Sequence, residues 1–211
     1  MELHRPHEHS PFGSWKAFLV EIATIVIGVL IALSFEGARE WYRDRSLGAE
    51  ARDTIVRELT ANRNAINEDI TTGPKRQHEV ETALQYTKEL LETGKTSLKS
   101  IGLNFNYGEL RRSSWQTAAQ TGALTHMSFG DVQKYAAAYD LQDVYQTQQR
   151  RGIGHYADAL TSVAAGIDPG TAKKPDLERF REHLLTLGAD LYMEDQLAHQ
   201  LRDRYDKVLK E

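Results

Sequence analysis

The chain has 211 residues, 40% of them apolar and 27% charged, with a formal net charge of −4 and no cysteine. That length holds one membrane anchor and one domain with a core of its own. The mild acidity and the lack of a basic face argue against nucleic-acid binding, and the missing cysteines exclude disulfides, iron–sulfur clusters, thiol catalysis and cysteine-ligated zinc.

Residues 1–14 read as a short flexible tail. His4, His7 and His9 lie in it, and their setting fits a disordered tract better than a metal site. The anchor follows. Phe18 to Phe35, FLVEIATIVIGVLIALSF, is an 18-residue run with one charge, Glu21. Extending it to Trp15 and Trp41 gives a helix of 27 residues, long enough to cross a bilayer. Trp15 and Phe18 at one end, and Phe35, Trp41 and Tyr42 at the other, suit the two headgroup regions. Ile22 to Leu33 is apolar around the whole helix apart from Thr24, which argues against a buried helix of a soluble domain. A weakly basic start and no clear A-x-A site argue against a cleaved signal peptide. Glu21 lies about one turn inside Phe18, within reach of the interface or of a polar partner. Gly28 and Ala32 share a face that permits close helix packing. Arg5 and Lys16 precede the anchor and Arg39, Arg43 and Arg45 follow it, a count that slightly favours a cytoplasmic C-terminal side.

Residues 42–211 read as a soluble helical bundle. No Gly or Pro cluster separates it from the anchor, and Leu47, Ala51, Ile55, Leu59, Ile66 and Ile70 are spaced by roughly three and four. One helix therefore leaves the membrane and enters the bundle, and Thr71-Thr72-Gly73-Pro74 is expected to stop it. A second helix is expected over Lys75 to Glu92, with Val80, Leu84, Thr87 and Leu91 on one face and Gly94 ending it. Residues 95–110 form the longest irregular connection. Glu109 to Thr121 suggests a short helix around Trp115. Ser128 then caps a helix running to about Ala165, with Val132, Tyr135, Tyr139, Tyr145, Tyr156 and Val163 inward and a bend or close contact at Gly152 and Gly154. Asp168-Pro169-Gly170 signals a turn, and Pro175 opens the clearest helix of the chain. There Leu177, Phe180, Leu184, Leu187, Leu191, Glu194, Ala198, Leu201, Tyr205 and Val208 alternate by three and four, broken chiefly at Glu194. This seam suits packing along the long helix better than zipping with a twin. The expected fold is all-α: an N-terminal transmembrane helix continuing into an antiparallel bundle of about four to five helices.

Chemistry is sparse. The sequence has no G-x-S-x-G, no phosphate-binding glycine loop, no H-E-x-x-H and no EF-hand loop, so no catalytic, cofactor or metal residue is assigned. His126, His155, His183 and His199 are dispersed. The adjacent pairs Glu68-Asp69 and Glu194-Asp195 read as solvated surface rather than as acid–base pairs, and Glu58 and Asn62 share a helix face without an E-x-x-H motif. Arg111 and Arg112 beside Trp115 can meet an anionic headgroup or a partner, and together with Tyr139 they mark a possible contact or pocket.

The run EIATIVIGVLIALSFEGAREWYRDR, Glu21 to Arg45, resembles the N-terminal signature of an uncharacterised bacterial single-pass inner-membrane family. Glu21, Gly28, Leu30, Ile31, Ala32, Leu33 and Trp41 match its pattern of an acidic first turn, an I-G-x-L-I-A-L core and a Trp-containing polar stretch. The asparagine pair that often precedes that Trp is replaced by Gly37 and Ala38 nearby. WQTAAQTGAL, Trp115 to Leu124, also looks like proteobacterial members of the group. The resemblance implies an inner-membrane protein with its N-terminus in the cytoplasm and its helical domain in the periplasm, opposite to the Lys/Arg count. The tether and the lack of a catalytic constellation point to a non-enzymatic accessory or scaffold subunit, binding the bilayer and a membrane protein, or a second copy, without a cofactor. A ligand-sensing periplasmic bundle is the alternative reading, and an enzyme of unknown chemistry the third.

Overall fold

A computed structural model describes residues 15–98, 101–104, 108–164 and 171–210. The fold is all-α, with four α-helices among the described residues, in chain order α1 (Trp15–Thr93), α2 (Ser113–Gln120), α3 (Phe129–Ala164) and α4 (Lys174–Lys210). A single 3₁₀ turn, Ala123–His126, joins α2 to α3. The tail with its histidines, the turn at Asp168-Pro169-Gly170 and the side chain of Val163 fall outside the described residues.

At 79 residues, α1 is about 118 Å long if straight. Its first third contains a helix long and apolar enough to cross a membrane, with a mean hydropathy of 2.5 over its best 18 residues and none of that window buried. The remainder is the spine of the bundle. The expected stop at Thr71–Pro74 does not occur, and the two helices anticipated on either side are one. Proline inside a helix removes one backbone hydrogen bond and costs about 3 kcal/mol. Packing on both sides of the break offsets this cost. Ile66 before Pro74 and Val80 and Ala83 after it are all buried, and the partner along most of that length is α4.

Most buried positions of α1 follow one seam spaced by three and four, Ala51, Ile55, Glu58, Asn62, Ile66, Asp69, Gly73, Arg76, Val80, Ala83, Thr87 and Leu90, and Gly48, Leu59 and Tyr86 are buried as well. The matching seam of α4 is the one anticipated, and all ten of its residues are buried, Glu194 included. Each fully buried Leu or Phe there contributes roughly 1.5–3 kcal/mol. Cross-pairs fix the directions. Arg63 meets Asp206 and Arg76 meets Glu194, so α4 runs antiparallel to α1. Tyr139 meets Glu58 and Tyr145 meets Asp69, so α3 runs parallel to α1, and α4 packs against both.

Local signals mostly behave as read. Gly94 ends α1 in the left-handed region, φ 68°, its N–H donating to Leu90 O at 3.0 Å. Ser128 Oγ accepts the Asp131 N–H at 3.1 Å and opens α3, while Asp131 turns toward Arg52 instead of completing a capping box. One boundary differs. The short helix expected from Glu109 starts only at Ser113, because the irregular backbone before it is bonded to side chains of α1 and α3. α3 runs unbroken through Gly152 and Gly154, where a bend or close contact is expected, and Gly152 is buried.

The elbow between α2 and α3 rests on α1 at Gly48. A Cβ there would lie 2.5 Å from His126 O and 2.9 Å from its carbonyl carbon, both backbone atoms that cannot swing away. Alanine is the better helix former by about 1 kcal/mol, yet Gly48→Ala is expected to lower the thermal midpoint of the bundle. Overpacking of this kind costs about 1–3 kcal/mol. A midpoint equal to or above the parent's in a circular-dichroism melt would contradict the close approach.

Candidate functional site

Two places concentrate unusual chemistry: the bare anchor and the polar layers of the bundle. In the anchor, Thr24 and Ser34 hydroxyls donate to Val20 O and Leu30 O at 2.8 and 2.7 Å, so neither needs an outside partner. Glu21 precedes Gly28 by seven residues and Gly28 precedes Ala32 by four, which puts all three on one face. A side chain added at Gly28 would meet nothing within 4 Å. Trp15 and Phe18 pair at 5.9 Å between ring centres, and at the other end Arg45 lies 5.5 Å from the Trp41 ring. Phe35, Trp41 and Tyr42 are well exposed. The eight anchor residues singled out from the sequence are therefore all on the surface.

The first polar layer holds α2 in place. Glu58 Oε2 accepts the Ser113 hydroxyl at 2.8 Å and the Ser114 N–H at 2.9 Å, and Oε1 accepts the Tyr139 hydroxyl at 2.7 Å. Burial alone would raise this carboxyl, but the Ser114, Tyr139 and Ser113 donors outweigh it and hold Glu58 below the ordinary carboxylate value. Burial and the neighbouring carboxylate push the Tyr139 hydroxyl far up, so it remains a neutral donor. One turn along α1, Asn62 takes the Arg111 backbone from both sides. Its Oδ1 accepts the Arg111 N–H at 2.9 Å and its Nδ2 donates to Arg111 O at 2.6 Å. Gln142 also donates to Arg111 O, and its own Oε1 accepts from Asn62 and from Tyr205. This buried amide–hydroxyl network ties α1, α3 and α4 to one loop.

The second layer lies between two apolar clusters. Ile55, Leu59, Ile66, Tyr139 and Leu201 belong to the anchor-proximal cluster, and Val80, Phe180, Leu184 and Leu187 to the distal one. Between them Arg76 donates to Asp69 Oδ1 at 2.7 Å and to Glu194 Oε1 at 3.2 Å, with all three side chains buried. Tyr145 donates to the other Asp69 oxygen, and Gln149 to Tyr145. On the α3–α4 side Asp190 pairs with His155 and accepts from Gln148 at 2.9 Å. A solvent-open cleft of about 380 Å³ runs beside the layer, lined in part by Glu68, Asp69, Thr72, Lys75 and Arg76.

Of the contact residues expected from sequence, Trp115 and Tyr139 do meet, stacked at 5.4 Å and 28°. The Tyr139 hydroxyl is directed at Glu58. Arg112 is paired with Asp143, and Arg111 is held through its backbone, its side chain remaining exposed. The expectation that Asp69 and Glu194 lie on a solvated surface is wrong. Both are buried, because each sits on its helix's seam while its neighbour Glu68 or Asp195 faces outward or sideways. The seam spacing itself was the available signal: Glu58, Asn62, Asp69 and Arg76 continue the three-and-four pattern of Ala51 and Ile55.

Glu58 carries a pH prediction. Its folded value lies below the ordinary 4.5, so its contribution is present above that value and lost as pH falls through the folded one. Glu58→Gln cannot titrate. At pH 7 the variant is expected to be less stable than the parent by about 1–3 kcal/mol, and the gap narrows as the pH drops below 4.5. Thermal melts of both proteins across that range check it, and a gap independent of pH would count against the assignment.

Compared with known protein families, curated proteins and solved structures, the chain matches none, so its role has to be read from its own residues.

Proposed function

We propose that this protein is a membrane-anchored accessory or scaffold subunit, which binds another membrane protein or complex through its anchor and presents its helical bundle in water. One observation carries the reading: the wholly exposed apolar segment is the same helix as the spine of the bundle, with no break from Trp15 to Thr93. A simple tether needs only a flexible join, whereas an unbroken helix keeps the bundle in a defined position relative to the membrane. The Glu21, Gly28 and Ala32 face is the intramembrane contact in this reading. An acidic group in a lipid-facing helix is costly unless it reaches the interface or finds a partner, and small residues let a second helix approach. The resemblance of Glu21 to Arg45 to the bacterial inner-membrane family supports a cytoplasmic N-terminus and a periplasmic bundle. The charged cleft beside Asp69 and Arg76 favours one second reading, a bundle that senses a small polar ligand.

Gly28 offers a clean test, because a larger side chain there collides with nothing in the chain itself. Gly28→Leu is expected to leave the bundle's melting unchanged while reducing recovery of a co-purifying membrane protein about tenfold or more, the loss of roughly 1.4 kcal/mol of contact. Mild-detergent purification from the native host makes the comparison. A strictly monomeric parent with nothing bound would sink the scaffold reading. The side of the membrane is tested with a single cysteine at exposed Lys88, since the chain has none of its own. An impermeant maleimide should label it in intact spheroplasts. Labelling only after lysis would put the bundle in the cytoplasm.

A further inference from the structure

We infer that α1 contains a latent hinge at Gly73–Pro74 and that Arg76 is its splint. The local sequence is built to bend. Pro74 has no N–H to give the preceding turn, and Gly73 adds backbone freedom beside it. The Thr71 and Thr72 hydroxyls donate back to Asn67 O and to Glu68 O at 2.8 and 3.1 Å, an arrangement that often bends helices.

The apolar core also parts at this level. The anchor-proximal cluster reaches Ile66 and Ile70 on α1, the distal one begins at Val80, and the seam positions between them are Asp69, Gly73 and Arg76. The open cleft of about 380 Å³ lies alongside, so water reaches the flank of the weak turn. Among the described residues, α1 has no buried apolar side chain between Ile66 and Val80.

Arg76 spans the gap. One guanidinium nitrogen reaches back across the proline to Asp69, seven residues earlier on the same face, and another reaches across to Glu194 on α4. The segment before the proline, the segment after it and the neighbouring helix are thereby fastened to one rigid planar group. With the splint in place the anchor and the distal half of the bundle form one rod. Without it α1 is free to bend at Pro74 against α3 and α4, which cross this level unbroken. This inference stands independently of which partner or side of the membrane the protein uses.

The test is a distance across the hinge in the full chain, reconstituted in detergent micelles. The chain has no cysteine, so spin labels at Thr60→Cys and Lys88→Cys, both exposed on α1, form a unique pair. A straight helix separates them by about 42 Å. The parent is expected to give one narrow distance. Arg76→Gln should add a shorter, broad population, and Pro74→Ala in that background should remove it again. If Arg76→Gln loses its helical circular dichroism, Arg76→Lys takes its place, since one ammonium cannot fasten both carboxylates in the same geometry. The inference is overturned if the folded Arg76 variant keeps the parent's narrow distance, or if the broadening persists after Pro74→Ala.

Discussion

The ion pair of Arg76 with Asp69 and Glu194 is the interaction on which the shape of the molecule depends. It lies at the one level where α1 has lost a backbone hydrogen bond and where the apolar core is interrupted. Buried charges are poor sources of net stability, because taking them out of water costs about as much as their attraction returns. What they supply is geometry. A carboxylate has to be met by a donor at one place, whereas a leucine is satisfied by any apolar neighbour of similar size. Here that requirement sets the axial position of α4 against α1, and Tyr145 on Asp69 extends it to α3.

The same logic explains why polar groups recur along the α1 seam. Glu58, Asn62, Asp69 and Arg76 each occupy a core position, and each is met by a group from another element, Asp69 by Tyr145 and Arg76 by Glu194. Three long helices with seams of Leu, Ile and Ala could slide by a heptad at little cost. A slip would take Glu58 from Tyr139 and Arg76 from Glu194 together, leaving buried charges unmet. The ladder therefore argues for register as the property selected at these positions, at some expense in stability.

Much of this was legible in the sequence, and the reason is locality. The apolar run of the anchor, the α4 seam, Gly94 as a helix end and Ser128 as a cap are each decided within a few residues, so pattern alone identifies them. Pro74 departs from its local pattern for the complementary reason. Its local preference is to break a helix, and the preference is overruled by packing with residues more than a hundred positions away. Asp69 and Glu194 are hidden from the sequence because charge ordinarily signals exposure. On a seam, position outranks residue type once a partner such as Arg76 exists, and that partner is invisible until the helices are paired. The role of Arg111 was hidden more deeply still, since its backbone and not its side chain makes the contact with Asn62 and Gln142.

These elements bear on how the anchor and the bundle are joined. Nothing among the described residues packs on the 18 most apolar residues of α1, so whatever fixes the bundle's orientation has to pass through the helix backbone from Phe35 to Gly48. That stretch carries no proline, and at its end the elbow closes on Gly48, with His126 near Asp44 and Arg52 near Asp131. The elbow thus stiffens α1 where it leaves the anchor, and the Arg76 layer stiffens it again at Pro74. A freely tumbling tethered domain would need neither. Two reinforcements at the weak points of one long helix make sense if the distance and rotation between the anchor face and the far end of the bundle are what the protein has to conserve.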